Sequence, residues 1–255
     1  MATTAPPERR RIHLMRHGAV DYFRADGTPV PAEGVALNEL GRRQAEAAGA
    51  LFAQCGVRFD RAITSGLPRT LETARLALAA AGQPALGVEV DTALQEIRGG
   101  RLSTIAPDQI EAAFLGAFGT GADGDVESMR FLNGESVGEL LDRVLAAFDR
   151  VLARDDWQSL LLVLHGGVNR AIVSRALAGR RAFFGGLEQS PACINILDAG
   201  VDTLRGRLLV RAVNVAPTQW LHQHERSTTM EVLLAQYLAA GPRAPAPPAP
   251  PASPA

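Results

Sequence analysis

Ser159-Leu160-Leu161-Leu162-Val163-Leu164, followed at once by His165-Gly166-Gly167, is the segment that settles the architecture. After Ser159 the run has no polar side chain and is of strand length. An alternating pattern would mark a strand with one wet face, whereas an uninterrupted one marks a central strand covered on both faces. The run stops at a histidine and two glycines, and a helical pattern follows. A second segment of the same construction lies near the N-terminus: Arg11-Ile12-His13-Leu14-Met15-Arg16 ends in His17-Gly18. A third, residues 60–64, leads into Ser65-Gly66-Leu67-Pro68-Arg69-Thr70.

Working outward, further strands are expected over residues 88–90, 193–197 and 208–213. Helices are expected over residues 40–52, with Asn38 as N-cap and Gly56 as stop, over 68–81, opened by Pro68, and over 107–118. Ser136-x-x-Glu139 and Thr228-x-x-Glu231 are capping boxes that open helices to about residues 153 and 239. Strands alternating with helices predict one α/β domain, a three-layer α/β/α sandwich with a mostly parallel central sheet, over residues 10–240. Residues 1–9 are small, polar and proline-bearing. Residues 241–255 are Pro/Ala repetition that favours extended polyproline and cannot pack a core. Both ends are predicted to be disordered.

Composition narrows the function. Hydrophobic residues at 47% and charged residues at 21% suit a soluble protein with a sizeable core, and a net charge of −1 argues against a nucleic-acid or membrane surface. No apolar run reaches membrane-spanning length, and residues 1–8 have no signal-peptide character. The two cysteines, Cys55 and Cys193, form neither a disulfide framework nor a zinc spacing, and are expected to be free, mostly buried thiols in a cytoplasmic protein.

In open α/β sheets ligands bind beyond the carboxyl ends of the strands. Three strand ends here deliver phosphate-competent groups: Arg16 and His17, Arg69 in the first turn of a helix, and His165. An imidazole can attack phosphorus, and a guanidinium can grip two phosphate oxygens at once. Arg16-His17-Gly18, Ser65-x-Leu67-x-Arg69-Thr70-x-x-Thr73-Ala74, Leu94-x-Glu96 and His165-Gly166-Gly167, in that order, resemble the histidine phosphatase superfamily, with its phosphoglycerate-mutase-like fold. Leu40-Gly41-Arg42-Arg43-Gln44-Ala45 and Gly134-Glu135-Ser136 fit the same family.

The resemblance implies that His17 attacks phosphorus and carries a transient phosphoryl group. It implies that Arg16, Arg69 and His165 surround the phosphoryl oxygens, with Gly18 and Gly166 allowing close backbone approach. Glu96 becomes the general acid that protonates the leaving alcohol and then deprotonates water. Glu89 and Asp91 precede the motif and are assigned to a strand and its turn. His13 is assigned to the core, and His222 and His224 to the surface, with no carboxylate partner at telling spacing. Phe183 and Phe184 belong to packing or to the substrate wall.

Three departures bear on the substrate: Ala19 replaces the acidic residue common after Arg-His-Gly, Tyr22-Phe23 replaces a phosphate-binding asparagine, and Leu164 replaces a serine. The turn-rich loop Asp26-Gly27-Thr28-Pro29-Val30-Pro31 favours net hydrolysis. The expectation is a metal-independent phosphomonoesterase of histidine acid phosphatase type, without cofactor, acting on a phosphorylated small molecule, with a homodimer left open. The alternatives are a mutase-type phosphotransferase of the same fold and a non-catalytic binder of a phosphorylated ligand.

Overall fold

The apolar runs are strands, and they are buried on the faces their composition requires. A computed structural model describes residues 9–24, 28–118, 125–200, 208–223 and 225–240. Of the features expected above, residues 1–8, 25–27, 119–124, His224 and the tail from 241 lie outside the described residues. The strands are β1 (Arg10–Arg16), β2 (Arg61–Thr64), β3 (Val88–Val90), β4 (Ser159–Leu164), β5 (Ile194–Ala199) and β6 (Leu208–Val215), in sheet order β3-β2-β4-β1-β5-β6. The β2–β3, β2–β4 and β1–β4 pairings are parallel; β5 runs antiparallel to β1, and β6 antiparallel to β5. This is the mostly parallel sheet that was expected.

The helices are α1 (Glu39–Gln54), α2 (Pro68–Ala80), α3 (Ile110–Leu115), α4 (Val137–Leu152), α5 (Gly166–Ala178) and α6 (Thr229–Ala240). Their starts follow from side chains that satisfy otherwise orphaned amides. Asn38 Oδ1 accepts from the Gly41 amide at 2.9 Å. Both capping boxes close reciprocally: Glu139 N donates to Ser136 Oγ while Ser136 N donates to Glu139 Oε2, and Thr228 and Glu231 do the same. The single helix expected over 107–118 is instead broken into a 3-10 turn (Pro107–Gln109), α3, and a second 3-10 turn (Gly116–Phe118). Only Ile110 and Phe114 of α3 are buried, so this segment lacks the apolar stripe that holds a longer helix.

The alternation of side chains along a strand distributes the core. Leu160, Leu162 and Leu164, with Ile12 and Leu14, join the apolar faces of α4 and α5. Leu161 and Val163, with Met15 and Ala62, join Ala48 and Phe52 of α1 and Ala74, Ala77 and Leu78 of α2. Each leucine so enclosed contributes about 1.5–3 kcal/mol relative to exposure. The β4 run is apolar throughout because neither face meets water. A third, smaller cluster joins Met230 and Leu234 of α6 to Ile105, Ile110, Phe114 and Leu132. Among the described residues no helix is long and apolar enough to cross a membrane.

Two expectations about single residues divide. Cys193 is buried, but Cys55 is exposed, because it caps the C-terminus of α1 beyond the last buried residue, Phe52. His13 is a core residue as read: it is 5% exposed, and Phe52 and Phe59 meet it edge-on with ring centroids 5.4 and 5.2 Å away. Burial first, and then the Arg11 charge, lower its pKa to about 4, partly offset by the Leu160 backbone and then by Asp198. The unfolded imidazole takes up a proton near pH 6.5 and the folded one only near 4. His13 therefore contributes stability that is present above pH 6.5 and is lost as pH falls toward 4, by about 3 kcal/mol in all. Urea unfolding at pH 7.5 and pH 4.5 should show a larger acid loss in wild type than in His13→Phe; equal losses would show that this imidazole does not set the acid sensitivity.

Candidate active site

Strand register brings the site together. In the β1–β4 pair Arg16 lies opposite Leu164, and in the β2–β4 pair Thr64 lies opposite Val163. The next residues, His17, His165 and Ser65, therefore leave the sheet side by side, and the His17 amide donates to the Leu164 carbonyl at 3.0 Å. α1, which follows β1, covers one face of the sheet; α5, which follows β4, covers the other. Divergence of the two following helices at adjacent strands opens a crevice, the switch point of a doubly wound sheet.

His17 and His165 are 1% and 0% exposed, with ring centroids 5.3 Å apart. His17 Nδ1 lies 2.8 Å from the Gly18 carbonyl. A carbonyl only accepts, so Nδ1 carries the proton and the bare nitrogen is Nε2. Burial, then the charges of Arg69 and Arg16, hold the His17 pKa well below the usual imidazole range, so the ring is neutral at pH 7. Burial and then Arg69 act on His165 in the same direction. His165 Nε2 lies 2.7 Å from Ser65 Oγ, which lies 3.1 Å from Thr70 Oγ1, which donates to the Leu67 carbonyl at 2.8 Å. Because the Thr70 proton goes to a carbonyl, the chain runs from His165 Nε2–H to Ser65 to Thr70. His165 Nδ1 is left buried without a partner.

Arg16 and Arg69 are 6% and 2% exposed. Arg69 Nη1 donates to the Ala32 carbonyl at 2.6 Å, Arg16 Nη1 donates to the Gln189 carbonyl, and both Nε atoms are buried without a partner. Among the described residues neither guanidinium has a carboxylate partner. Buried, unpaired cations are costly and suit a site that receives an anion. Gly18 is required sterically: a Cβ there would strike the Gly41 backbone at the start of α1. The Gly18 amide donates to Thr73 Oγ1 at 3.1 Å. At Gly166 a Cβ would press most closely on Arg170 Nη1, 3.2 Å away, and would stand in ordinary contact with Arg16 Nε at 3.6 Å.

Glu96 reaches the same place from the 91–98 segment. Both its carboxylate oxygens lie 3.1 Å from the Gly167 amide, two residues beyond His165 in the first turn of α5. All seven residues named from the sequence thus converge at this crevice. What the sequence did not disclose is the bracket that holds Glu96. Arg143 on α4 uses all five of its N–H groups: two donate to the Glu135 carboxylate, two to the Ala93 and Gln95 carbonyls and one to the Glu96 carbonyl. Glu135, noted only as part of a Gly-Glu-Ser motif, also accepts from the Arg98 amide at 2.9 Å. Ser65 was read only as the opening of its motif, and Glu188 and Arg170 were not singled out. An arginine set among Val168, Ala171, Ile172 and Val173 was the available signal for Arg170.

The remaining assignments largely hold in position. Glu89 pairs with Arg61 and Arg154, and Asp91 caps the turn after β3 while pairing with Arg150. Phe183 is core and Phe184 is exposed. Asp21 accepts from the Asn38 side chain. His222 needs correction: it does have a carboxylate partner, Glu225 at 3.1 Å, because a turn in the backbone brings residues three apart together. Among the described residues no three His, Cys, Asp or Glu side chains converge in a way that could hold a metal ion.

The chain resembles proteins of known family and fold. The family model described as histidine phosphatase superfamily (branch 1) matches residues 12–210. A 2,3-bisphosphoglycerate-dependent phosphoglycerate mutase of Rhizobium etli is 39% identical over 102 residues, which cover 39% of this chain and 46% of the relative. The chain thus matches less than half the length of this curated relative. Among solved structures, mycobacterial glucosyl-3-phosphoglycerate phosphatase with inorganic phosphate superposes with a TM-score of 0.62 at 23% identity, over 82% of this chain and 98% of the other. Phosphoglycerate mutase from Bacillus anthracis gives a TM-score of 0.61 at 18% identity, over 82% and 94%. At such identities these two likenesses concern the fold.

Arg143→Ala would strand the largely buried Glu135 carboxylate and three backbone carbonyls. It should destabilise the protein by about 3–5 kcal/mol in urea unfolding. A loss below about 1 kcal/mol would mean that the bracket is not a structural tie.

Proposed function

The chain belongs to the histidine phosphatase superfamily, and on that premise we propose that it is a metal-independent phosphomonoester hydrolase working through a phosphohistidine at His17. The observation that carries this reading is the state of the His17 ring: Nδ1–H is committed to the Gly18 carbonyl, so the neutral, bare nitrogen is Nε2, in the field of two guanidinium groups that lack carboxylate partners. In the first step His17 Nε2 attacks phosphorus, the ester P–O bond breaks, and Glu96 gives its proton to the departing alcohol oxygen. In the second step Glu96 takes a proton from water, the water oxygen attacks phosphorus, and the N–P bond breaks to release inorganic phosphate and restore the ring. Arg16 and Arg69 stabilise charge on the phosphoryl oxygens, and His165 joins them on taking up a proton at its free Nδ1, which the phosphate charge favours. Such preorganised donors are each worth about 3–4 kcal/mol of barrier.

The substrate class is a phosphorylated small molecule, with selectivity assigned to residues 20–36 and 97–133. A mutase reading draws support from the phosphoglycerate mutases among the partial relatives. The two separate on the fate of labelled phosphate: with added acceptor alcohol, release as inorganic phosphate is expected, and recovery in an isomeric ester would establish transfer instead. A non-catalytic binder is the third possibility. Wild type should hydrolyse an aryl phosphate and His17→Ala should lose about 10⁴–10⁶ of that rate; equal rates in the two proteins would reject nucleophilic catalysis at His17.

The role of Glu96 has a test that leaves Glu96 in place. A Cβ at Gly167 would stand 2.6 Å from Glu96 Oε1, the flexible end of a side chain. Gly167→Ala should therefore displace the carboxylate and lower kcat by about 10², as Glu96→Gln does, while stability stays within about 1 kcal/mol of wild type. An unchanged kcat in Gly167→Ala would remove Glu96 from the mechanism.

A further inference from the structure

We propose that the first residue of α6 is a working part of the phosphate pocket: Thr229, together with Glu188, orients the Arg16 guanidinium, and both act as positioning residues. The inference rests on the phosphohydrolase reading for the role of Arg16 and concerns a segment beyond residue 210, where the match to the family model ends.

The argument begins with donor arithmetic on Arg16. Its Nη1 group has two hydrogens, and both have partners: one goes to the Gln189 carbonyl and the other to Thr229 Oγ1 at 2.8 Å. Nε stays buried without a partner. The guanidinium is thus held by one corner, with its Nε edge left free. Thr229 Oγ1 also lies 2.8 Å from Glu188 Oε1. An ionised carboxylate cannot donate and an arginine cannot accept, so the hydroxyl accepts from Arg16 and gives its single proton to Glu188. The relay therefore has one direction, from Arg16 to Thr229 to Glu188.

Glu188 does a second thing at the same time. Its other oxygen, Oε2, accepts from Arg170 Nη2 at 2.9 Å. Arg170 is 3% exposed, and its Nη1 lies 3.2 Å from the Cβ position missing at Gly166, the same position that Arg16 Nε approaches to 3.6 Å. Two guanidiniums thus flank one glycine, where like charges raise each other's cost. Glu188 neutralises Arg170 and draws the far corner of Arg16 toward itself through Thr229. Of the arginines at this site, Arg16 and Arg69 have no carboxylate partner among the described residues, and their joint charge matches a phosphate dianion.

The position of Thr229 is itself over-determined. The Thr228–Glu231 capping box sets where α6 begins, and Met230 and Leu234 pack against Ile105, Ile110 and Phe114. The hydroxyl is consequently delivered by a helix fixed at both its cap and its apolar face.

The test uses the full chain and inorganic orthophosphate as probe, with affinity measured by calorimetry, beside kcat and KM for an aryl phosphate. Thr229→Val keeps the shape and removes the relay. It should weaken orthophosphate binding and lower kcat/KM by about tenfold, with the melting temperature within a few degrees of wild type. Thr229→Ser should restore both to within about twofold. Glu188→Gln should act in the same direction, and adding it to Thr229→Val should cost less than the product of the two single effects, because both act through one chain of bonds. The proposal is overturned if Thr229→Val folds and keeps orthophosphate affinity and kcat/KM within about twofold, or if Thr229→Ser is as impaired as valine. Should the valine variant fail to fold, Glu188→Gln with wild-type phosphate affinity overturns it equally. If wild type binds orthophosphate but hydrolyses nothing, the hydrolase reading fails alone and the binding comparison still decides the role of Thr229; if wild type binds none, both fail.

Discussion

The pairing of β1 with β4 is the constraint on which the rest of the structure depends. These strands are distant in sequence, yet their parallel register sets Arg16 opposite Leu164 and so delivers His17 and His165 at one edge. A slip of one residue would turn every side chain of β4 to the opposite face. The slip is opposed by both layers at once, since Leu160, Leu162 and Leu164 are matched to α4 and α5 while Leu161 and Val163 are matched to α1 and α2. Core packing and site geometry are in this sense one specification. The same burial that fixes the register also desolvates the two imidazoles and keeps them neutral.

That arrangement carries an internal tension. Two guanidiniums without carboxylate partners among the described residues and a buried imidazole nitrogen without a partner are all unfavourable to bury. The protein tolerates them because they are held by groups that cannot rearrange cheaply: the carbonyls of Ala32 and Gln189, the Ser65–Thr70 hydroxyl chain and the Gly18 carbonyl. In the proposed chemistry, the bound phosphoryl group supplies the missing partner for both arginines. What these groups cost the fold corresponds, in the proposed chemistry, to affinity for an anion.

How much of this was legible in the sequence follows from how local each signal is. Strand runs, helix caps and the motif residues at strand ends are written in consecutive letters, and Asn38, Ser136 and Thr228 cap the helices expected of them. The histidines and arginines could be placed together because the end of a parallel strand is a known address. Contacts made across the fold were not legible. Nothing near Arg143 announces that it will span from Glu135 to three carbonyls of another segment, and Glu188 gains its meaning only when α5 and α6 both reach it. Helix 107–118 failed because its propensity was not backed by a buried stripe. His222 acquired a carboxylate partner through a turn that its composition did not signal.

The two proposed functions of the site, gripping phosphate and moving a proton, are supported from opposite directions. Arg16 is held from the β5 and α6 side, by Gln189 and Thr229; Glu96 is held from the α4 side, by Arg143 and Glu135. They meet across the first turn of α5, where the Gly167 amide donates to the Glu96 carboxylate and Arg16 packs beside Gly166. With separate scaffolds, the 97–133 segment beside Glu96 is free to change its reading of the leaving group without disturbing the phosphoryl grip. The proposed assignment of selectivity to residues 20–36 and 97–133 fits this division, since neither range contains Arg16, His17 or Arg69.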